Sequence, residues 1–276
     1  MLNRRAFLEL AALSPVLAAA AGKKVPVGLE LFSVRNELMK DLEGTVTKVA
    51  KMGYECVEFY APYYEWTPAK AKEMRKLMDD QGIRCYSTHN SAKVYEPGNL
   101  DHAIELNKIL GSRYIVMASA GGKIETLEGW KQVAEKLKAG PAKMRSAGLK
   151  AGFHNHHVEF IPIGGTRPMD VLAKNTDKAV TLQLDVGTCL HAGADPVEWI
   201  RKNPGRITSM HCKDWGPDKG YEVLFGEGKA PWKQIFDAAE KSGGIEFYLI
   251  EQEGSQYSQF ETVERCLAAY KQLRSS

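Results

Sequence analysis

Three of the seven histidines lie within four consecutive residues, at His154, His156 and His157. They follow an apolar segment that starts at Leu149 and is typical of a β-strand. Alternate residues of a strand point to the same face, so we expect the imidazoles of His154 and His156 to point the same way. Neutral imidazole binds divalent metals and exchanges protons near neutral pH. The segment therefore predicts a metal-binding or catalytic site.

Three further apolar segments also end in residue types that bind metals: Asp185 in LQLDVG, His211 in ITSMHCKD and Glu251 in FYLIEQE. Imidazole nitrogens combined with carboxylate oxygens suit Mn²⁺, Zn²⁺, Fe²⁺, Co²⁺ or Mg²⁺, and the sequence does not choose among these ions. His156 can replace its neighbour as a ligand, or can act as a base or a substrate contact beside the metal. We therefore predict one divalent ion held by four ligands, namely His154, Asp185, His211 and Glu251.

Other polar residues near predicted strand ends are candidates for substrate binding or proton transfer. Lys213 lies two residues after His211, where it can stabilise a developing negative charge or pair with a carboxylate. Glu58 and His89 can bind substrate hydroxyls or pair with each other, and Glu159 can orient a histidine or lie in solvent. The catalytic candidates are Glu251, His156 and Lys213, and the substrate-binding candidates are Glu58, His89, Lys213 and Glu159.

Eight repeats of a strand followed by a helix account for the chain from residue 25 onward. We predict strands at 25–32, 56–60, 83–88, 114–117, 149–156, 180–186, 207–213 and 247–251. We predict helices at 41–52, 67–80, 100–110, 127–147, 168–173, 196–202, 232–241 and 260–273. The fourth helix contains Pro141, which predicts a kink or a break there.

This repeat predicts a single-domain α/β protein with a closed (β/α)8, or TIM, barrel. Strands separated by helices pair in parallel, and eight such units close a sheet. An open doubly wound sheet is the alternative, but its glycine fingerprint after the first strand is missing. The C-terminal ends of barrel strands meet at one mouth, which is where the candidate ligands lie in the sequence.

Composition excludes some classes of partner. The 276 residues are 44% hydrophobic and carry a formal net charge of +3 without a basic stripe, so we expect no nucleic-acid partner. Five cysteines show no paired spacing and predict free thiols. A small-molecule sugar is the partner that the resemblance described below implies, and the sequence does not indicate an oligomeric state.

The N-terminal segment is typical of an export signal. Arg4 and Arg5 precede an apolar stretch at 10–21 that is too short to span a bilayer. We predict a twin-arginine-type signal peptide at 1–21, a barrel domain at 25–276 and export to the periplasm, with no stable membrane insertion after the signal is removed. An ordinary Sec signal is the alternative.

Several short motifs resemble those of the sugar phosphate isomerase/epimerase family with the xylose isomerase-like TIM barrel, also called AP endonuclease family 2. The resemblance covers nearly all of the chain after the signal. The motifs are GLELFSVR at 28–35, GYECVE at 53–58, HNH at 154–156 with Glu159, LDVG at 184–187, HCKD at 211–214, GEG at 226–228 and IEQE at 250–253.

The resemblance implies a single divalent ion at His154, Asp185, His211 and Glu251. In the family's epimerases the first ligand is a glutamate, and two glutamates move the proton. This chain has His154 at that position, and it has Thr188 where several members carry histidine. The HNH version resembles the dehydratase-like and keto-glycoside-processing branches, in which a histidine takes the role of the base.

The expected function is that of a metal-dependent isomerase or epimerase of sugars or keto-sugars, which removes a proton next to a carbonyl. One alternative is a lyase or dehydratase of keto-sugars or 3-keto-glycosides at the same site. Another is a non-catalytic sugar- or metal-binding protein. An AP endonuclease-like hydrolase would need a three-metal cluster with more ligands than the strand ends offer.

Overall fold

A closed barrel of parallel strands forms the centre of the molecule. The computed structural model describes residues 24–96 and 98–275. Within that part, eight strands pair in sequence order and the last pairs with the first, which confirms the predicted fold. The strands are β1 Val27–Glu30, β2 Cys56–Phe59, β3 Arg84–Ser91, β4 Tyr114–Ser119, β5 Lys150–His154, β6 Thr181–Asp185, β7 Ser209–Cys212 and β8 Phe247–Ile250. The predicted signal peptide at 1–21 lies outside the described residues.

Helices connect the strands. They are α1 Arg35–Lys40, α2 Leu42–Met52, α3 Pro68–Gln81, α4 Leu100–Leu110, α5 Leu127–Ala139, α6 Pro141–Ser146, α7 Pro168–Asn175, α8 Val186–His191, α9 Pro196–Lys202, α10 Trp232–Ala238 and α11 Gln259–Ser275. Side-chain caps start several of them; for example, the Asp41 carboxylate accepts the Gly44 N–H at the start of α2. In the described part of the chain, no helix combines the length and apolar composition that crossing a membrane requires.

Two local predictions need correction. The sequence did not predict α1, which follows a 3₁₀ helix at Leu31–Val34 after β1, or α8, which begins directly after β6. The Asp185 carboxylate accepts the Thr188 N–H, so the chain turns into α8 as soon as β6 ends. The strand β5 ends at His154 instead of continuing to His156, so strand alternation does not set the direction of the second histidine. The predicted helix at 127–147 divides into α5 and α6, which confirms the break predicted at Pro141.

The barrel interior changes from apolar at the start of the strands to polar at their ends. Cys56, Tyr114 and Phe247 belong to a buried apolar cluster on β2, β4 and β8. Glu58 lies two residues beyond Cys56 and Glu251 lies four beyond Phe247, which are spacings that keep one face of a strand. Polar groups therefore gather at the C-terminal mouth, where enzymes of this architecture hold their active sites.

Candidate metal centre

The four predicted ligands come together at the mouth of the barrel. One ligand atom from each of them lies within 4.8 Å of those of the other three, and all four side chains are buried. His154 ends β5, Asp185 ends β6, His211 lies in β7 and Glu251 follows β8. Four consecutive strands therefore supply two imidazoles and two carboxylates, which can bind one divalent ion.

The hydrogen bonding of Asp185 also fits a cation. Its Oδ1 accepts the Thr188 N–H at 2.8 Å. Its Oδ2 is buried and has no hydrogen-bond partner among the described residues. This oxygen lies 4.0 Å from His154 Nε2 and 3.9 Å from Lys213 Nζ. A buried carboxylate oxygen without a donor is costly, and a bound cation at this position would satisfy it.

Asn155, the central residue of the HNH motif, positions the end of β6. Its Oδ1 accepts the Asp185 N–H at 3.0 Å, and its Nδ2 donates to Thr188 Oγ1 at 2.9 Å. These bonds join the end of β5 to the start of α8 and leave the Asp185 carboxylate facing the cluster. The sequence analysis did not assign Asn155, although its place between two histidines was a signal.

His211 lies between two carboxylates. Its Nδ1 is 2.8 Å from Glu251 Oε2, and its Nε2 is 2.8 Å from Glu58 Oε1. Burial alone would lower the pKa of His211, but the charges and hydrogen bonds of Glu251 and Glu58 outweigh it and raise the pKa to about 10. A metal ion that binds one of the two ring nitrogens of His211 must therefore displace the proton from that nitrogen.

Glu58 and His89, predicted to bind substrate, contact each other. Glu58 is fully buried, and its Oε1 lies 3.0 Å from His89 Nε2. Burial opposes ionisation of Glu58, but the positive charges of His89 and His211 outweigh it and lower the pKa to about 2. Glu58 is therefore an anion that supports the imidazoles, whereas His89 also lines the cavity described below.

Gln183 connects these groups, and the sequence analysis missed it. Its Nε2 donates to Glu58 Oε2 at 3.0 Å, which directs its Oε1 toward the two imidazoles of His89, at 2.7 Å, and His154, at 3.1 Å. An acceptor at His154 Nδ1 requires the proton on that nitrogen, so Nε2 keeps a lone pair for the metal. The available signal was a polar residue in the middle of an apolar strand.

Lys213 is a buried ammonium beside the cluster. It pairs with Glu253 and lies 3.9 Å from Asp185 Oδ2 and 4.0 Å from Glu251 Oε2. Burial alone would lower the pKa of Lys213, but the carboxylates outweigh it and raise the pKa above its usual value. Lys213 therefore contacts carboxylates, which is one of the two roles predicted for it. It is not among the described residues that line the cavity discussed below.

A cavity of about 380 Å³ opens above the cluster. His156 is exposed in this cavity, and its ring centroid lies 5.2 Å from that of His154. The cavity walls remove part of the water around this ring and lower the pKa of His156, so its imidazole is neutral near pH 7. The polar side chains of the lining are Glu30, Tyr60, His89, Asn90, Ser91, Ser119, His154, His156, Glu251 and Glu253.

Glu159 supports the backbone at His156. Its Oε2 accepts the His156 N–H at 2.7 Å, so it orients this histidine through the main chain. The carboxyl is buried, and burial raises its pKa to about 7. The sequence left two roles open for Glu159, to orient a histidine or to lie in solvent. The structure places it against the histidine segment.

Comparisons with known proteins agree with this architecture. An inosose dehydratase of Clostridium perfringens is 25% identical over 274 aligned residues, which cover 83% of this chain and 90% of that protein. A sugar phosphate isomerase/epimerase structure from Parabacteroides distasonis has a TM-score of 0.75 at 27% identity and covers 93% of this chain and 97% of its own. A D-psicose 3-epimerase structure shares the fold, with a TM-score of 0.67 at 14% identity over 89% of this chain and 98% of its own.

The family follows from a match to most of the chain. Residues 46–272 match the family model described as a xylose isomerase-like TIM barrel. This match spans β2 to β8 and all four candidate ligands. It confirms the resemblance seen in the sequence motifs. The chain belongs to the xylose isomerase-like TIM barrel family.

Proposed function

We propose that this protein is a divalent-metal-dependent isomerase or epimerase, which removes the proton next to the carbonyl of a sugar or keto-sugar and returns it. The observation that carries the proposal is the cluster of four ligand atoms within 4.8 Å of one another, beside a cavity into which a further histidine projects. The cavity alone would also suit a non-catalytic binding protein. The neutral imidazole of His156 beside the metal site suits proton transfer and so favours an enzyme.

The roles of the residues follow from their positions. A divalent ion held by the four ligands would polarise the substrate carbonyl and its neighbouring hydroxyl, and so lower the pKa of the adjacent C–H. His156 accepts this proton, the C–H electron pair forms a C=C bond, and the negative charge moves to the carbonyl oxygen. Return of the proton to the opposite face gives the epimer. Its return to the neighbouring carbon, with transfer of the hydroxyl proton from one oxygen to the other, gives the isomer. Glu251 also lines the cavity and is the second group that can carry a proton.

A lyase or dehydratase is the second candidate. It is supported by the 25% identity to an inosose dehydratase and by His154 at a position where the family's epimerases carry glutamate. In this reaction the base removes the same proton, and the C–H electron pair forms a C=C bond as a hydroxide or alkoxide leaves from the next carbon. The proton and the leaving group together make water or an alcohol. The two reactions share the first step.

The charge of the cavity supports a neutral sugar as the substrate. Within the described residues, the lining includes the carboxylates of Glu30, Glu251 and Glu253 and no lysine or arginine. A phosphate group would find no lysine or arginine in this lining, and these are the cations that usually bind it. This agrees with the proposed export of the protein, because free sugars and glycosides are the substrates expected outside the cytoplasm.

Proton exchange with solvent tests the proposal. The metal-loaded protein is incubated in D₂O with ketohexoses, an inosose and a 3-keto-glucoside, and NMR follows loss of the C–H signal next to the carbonyl. We expect exchange with at least one sugar. We expect His156→Gln to slow it by about 100-fold, since general base catalysis contributes about 10²–10⁴-fold, while the metal content stays unchanged.

His157→Gln is the matched control, because the ring of His157 stacks on His191 with centroids 4.9 Å apart and is not part of the catalytic cavity. We expect its exchange rate to equal that of the wild type. Equal slowing by both substitutions would contradict the role of His156. Tight binding of metal and sugar without exchange for any member of the panel would favour the non-catalytic binding protein.

A further inference from the structure

A second cavity of about 370 Å³ lies beside the first, on the side of β4 and β5. Ser119, which ends β4, and His156 line both cavities. A ligand held in the first cavity can therefore extend into the second without leaving the protein surface. Each volume falls within the range of about 300–1,000 Å³ that is typical of small-molecule sites.

Apolar side chains dominate the walls of the second cavity. Ile124, Trp130, Val158 and Ile161 line it. The side chains of Val158 and Ile161 are each 47% exposed. In the part of the chain that the structure describes, the other exposed large apolar side chain is Met39 on α1. Exposed apolar residues that gather at a concave site indicate a binding surface.

The polar groups of this cavity do not suit a charged ligand. Lys123 Nζ and Glu125 Oε1 lie 2.5 Å apart and neutralise each other. The indole Nε1 of Trp130 is buried and has no hydrogen-bond partner among the described residues. With the two charges paired and the indole N–H buried, an uncharged ring fits the apolar character of these walls.

We propose that the second cavity binds an aromatic aglycone, so that the substrate is an aryl glycoside whose sugar ring occupies the cavity above the metal ligands. This inference rests on the proposed function, because it takes the first cavity as the sugar site. It deepens that function by naming the substrate class. Apolar walls around Trp130 suit a planar ring, and the shared wall at Ser119 and His156 lets one molecule occupy both cavities.

A matched pair of glycosides tests this proposal. The probes are methyl and 4-nitrophenyl 3-keto-β-D-glucopyranoside, which differ in the aglycone. Because 4-nitrophenolate also leaves more readily than methoxide, the change of their ratio in a variant of the cavity wall and the binding of unreactive glucosides complete the comparison. We expect kcat/KM to be at least about tenfold higher for the aryl glycoside, since burial of a ring gains well over the ~1.4 kcal/mol that equals a factor of ten. Equal kcat/KM for the two glycosides would overturn the proposal.

Ile161→Asp places a charge on the wall of the second cavity, at a half-exposed position that tolerates a polar side chain. We expect it to lower the ratio of aryl to methyl kcat/KM about tenfold, because an unpaired charge disfavours the apolar ring. Met39→Asp is the control, since Met39 is 74% exposed on α1, outside both cavities. An unchanged ratio in Ile161→Asp would contradict the proposal, whereas Met39→Asp should retain the wild-type ratio.

Binding separates this inference from the proposed function. Calorimetry with the metal-loaded protein measures the affinity for the unoxidised methyl and 4-nitrophenyl β-D-glucopyranosides, which requires no turnover. A preference for the aryl glycoside that is lost in Ile161→Asp supports the aglycone site even if no sugar of the exchange panel reacts, in which case the proposed function fails alone. Equal affinities for the two glucosides would overturn the aglycone site, whatever the turnover experiment shows.

Discussion

Single residues decide what the imidazoles of the site can do. Glu58 orients the amide of Gln183, and the Gln183 oxygen in turn requires a proton on His154 Nδ1. His154 Nε2 is then free to bind a metal, because the hydrogen bond of one ring nitrogen sets the state of the other. The outer residues therefore prepare the ligand before any substrate arrives.

The sequence predicted the four candidate ligands but not the residues that orient them. His154, Asp185 and Glu251 are recognisable because each is a metal-binding residue type at the end of an apolar segment. Gln183 and Asn155 act through contacts between β5, β6 and β2. Those contacts depend on which strands are neighbours and on their register, so a single sequence does not reveal them.

Glu159 should make stability fall as pH rises through the range from 4.5 to 7. In the folded state the Glu159 carboxyl has a pKa of about 7, whereas the ordinary pKa of a glutamate is 4.5. The folded state thus binds more protons between these values, and the free energy of unfolding decreases with pH there. We expect Glu159→Gln to remove this decline, with a gain over the wild type of up to ~3 kcal/mol at pH 8, since one pKa unit equals ~1.4 kcal/mol.

Urea unfolding at pH 4.5, 6 and 8 measures this effect. Glutamine keeps an oxygen that can accept the His156 N–H, so the substitution removes the charge and retains the contact. Glu125→Gln is the control. Glu125 and Glu159 both line the second cavity, but Glu125 is exposed. If the difference between Glu159→Gln and the wild type stays constant with pH, the buried state of this carboxyl is contradicted.

At the scale of elements, local signals predicted the ends of α2 better than the end of β5. The helix α2 begins after Asp41 and ends before Gly53, as predicted, since an N-terminal cap and a left-handed glycine act within one turn. The end of β5 was placed two residues too late, because pairing with β6 ends at His154 and not where the polar alternation ends. Strand ends depend on partners distant in sequence, whereas helix ends do not.

Close packing between β1 and β2 makes a glycine necessary in β1. Gly28 pairs in register with Cys56, and a Cβ added to it would lie 2.5 Å from the Cys56 carbonyl oxygen and would also collide with the thiol. We expect Gly28→Ala to lower the free energy of unfolding by about 1–3 kcal/mol, as overpacked cores do. Chemical denaturation measures the loss.

Gly254→Ala provides the comparison, because a Cβ there would meet no atom within 4 Å. We expect this variant to remain within about 0.5 kcal/mol of the wild type, as surface substitutions usually do. Equal stability of Gly28→Ala and Gly254→Ala would show that the contact between β1 and β2 is looser than the structure indicates.

At the scale of the whole molecule, barrel closure turns residues that are far apart in sequence into one site. His154 and Glu251 are separated by almost 100 positions, yet their ligand atoms lie within 4.8 Å of each other. Counting eight strand–helix units was sufficient to predict this, because the C-terminal ends of the strands meet at one mouth. The second cavity was not predictable, since its walls come mostly from the loops after β4 and β5.

The proposed route of export concerns the chain as a whole. A twin-arginine pathway carries folded proteins, so the metal could be loaded before export. We expect the double substitution Arg4→Lys with Arg5→Lys to retain the protein in the cytoplasm, because this pathway reads the arginine pair, whereas a Sec signal requires only positive charge. Fractionation of cells into periplasm and cytoplasm measures the outcome, and unchanged export of the double variant would favour the Sec signal.

Metal content tests the central claim most directly. Purified wild-type protein, Asp185→Ala and His211→Ala are loaded with Mn²⁺, desalted and analysed by elemental mass spectrometry, with circular dichroism to check the fold. We predict one ion per chain in the wild type and loss of the ion in both variants while the fold is retained, because each substitution removes one of the four ligands. Equal metal content in all three proteins would contradict the account.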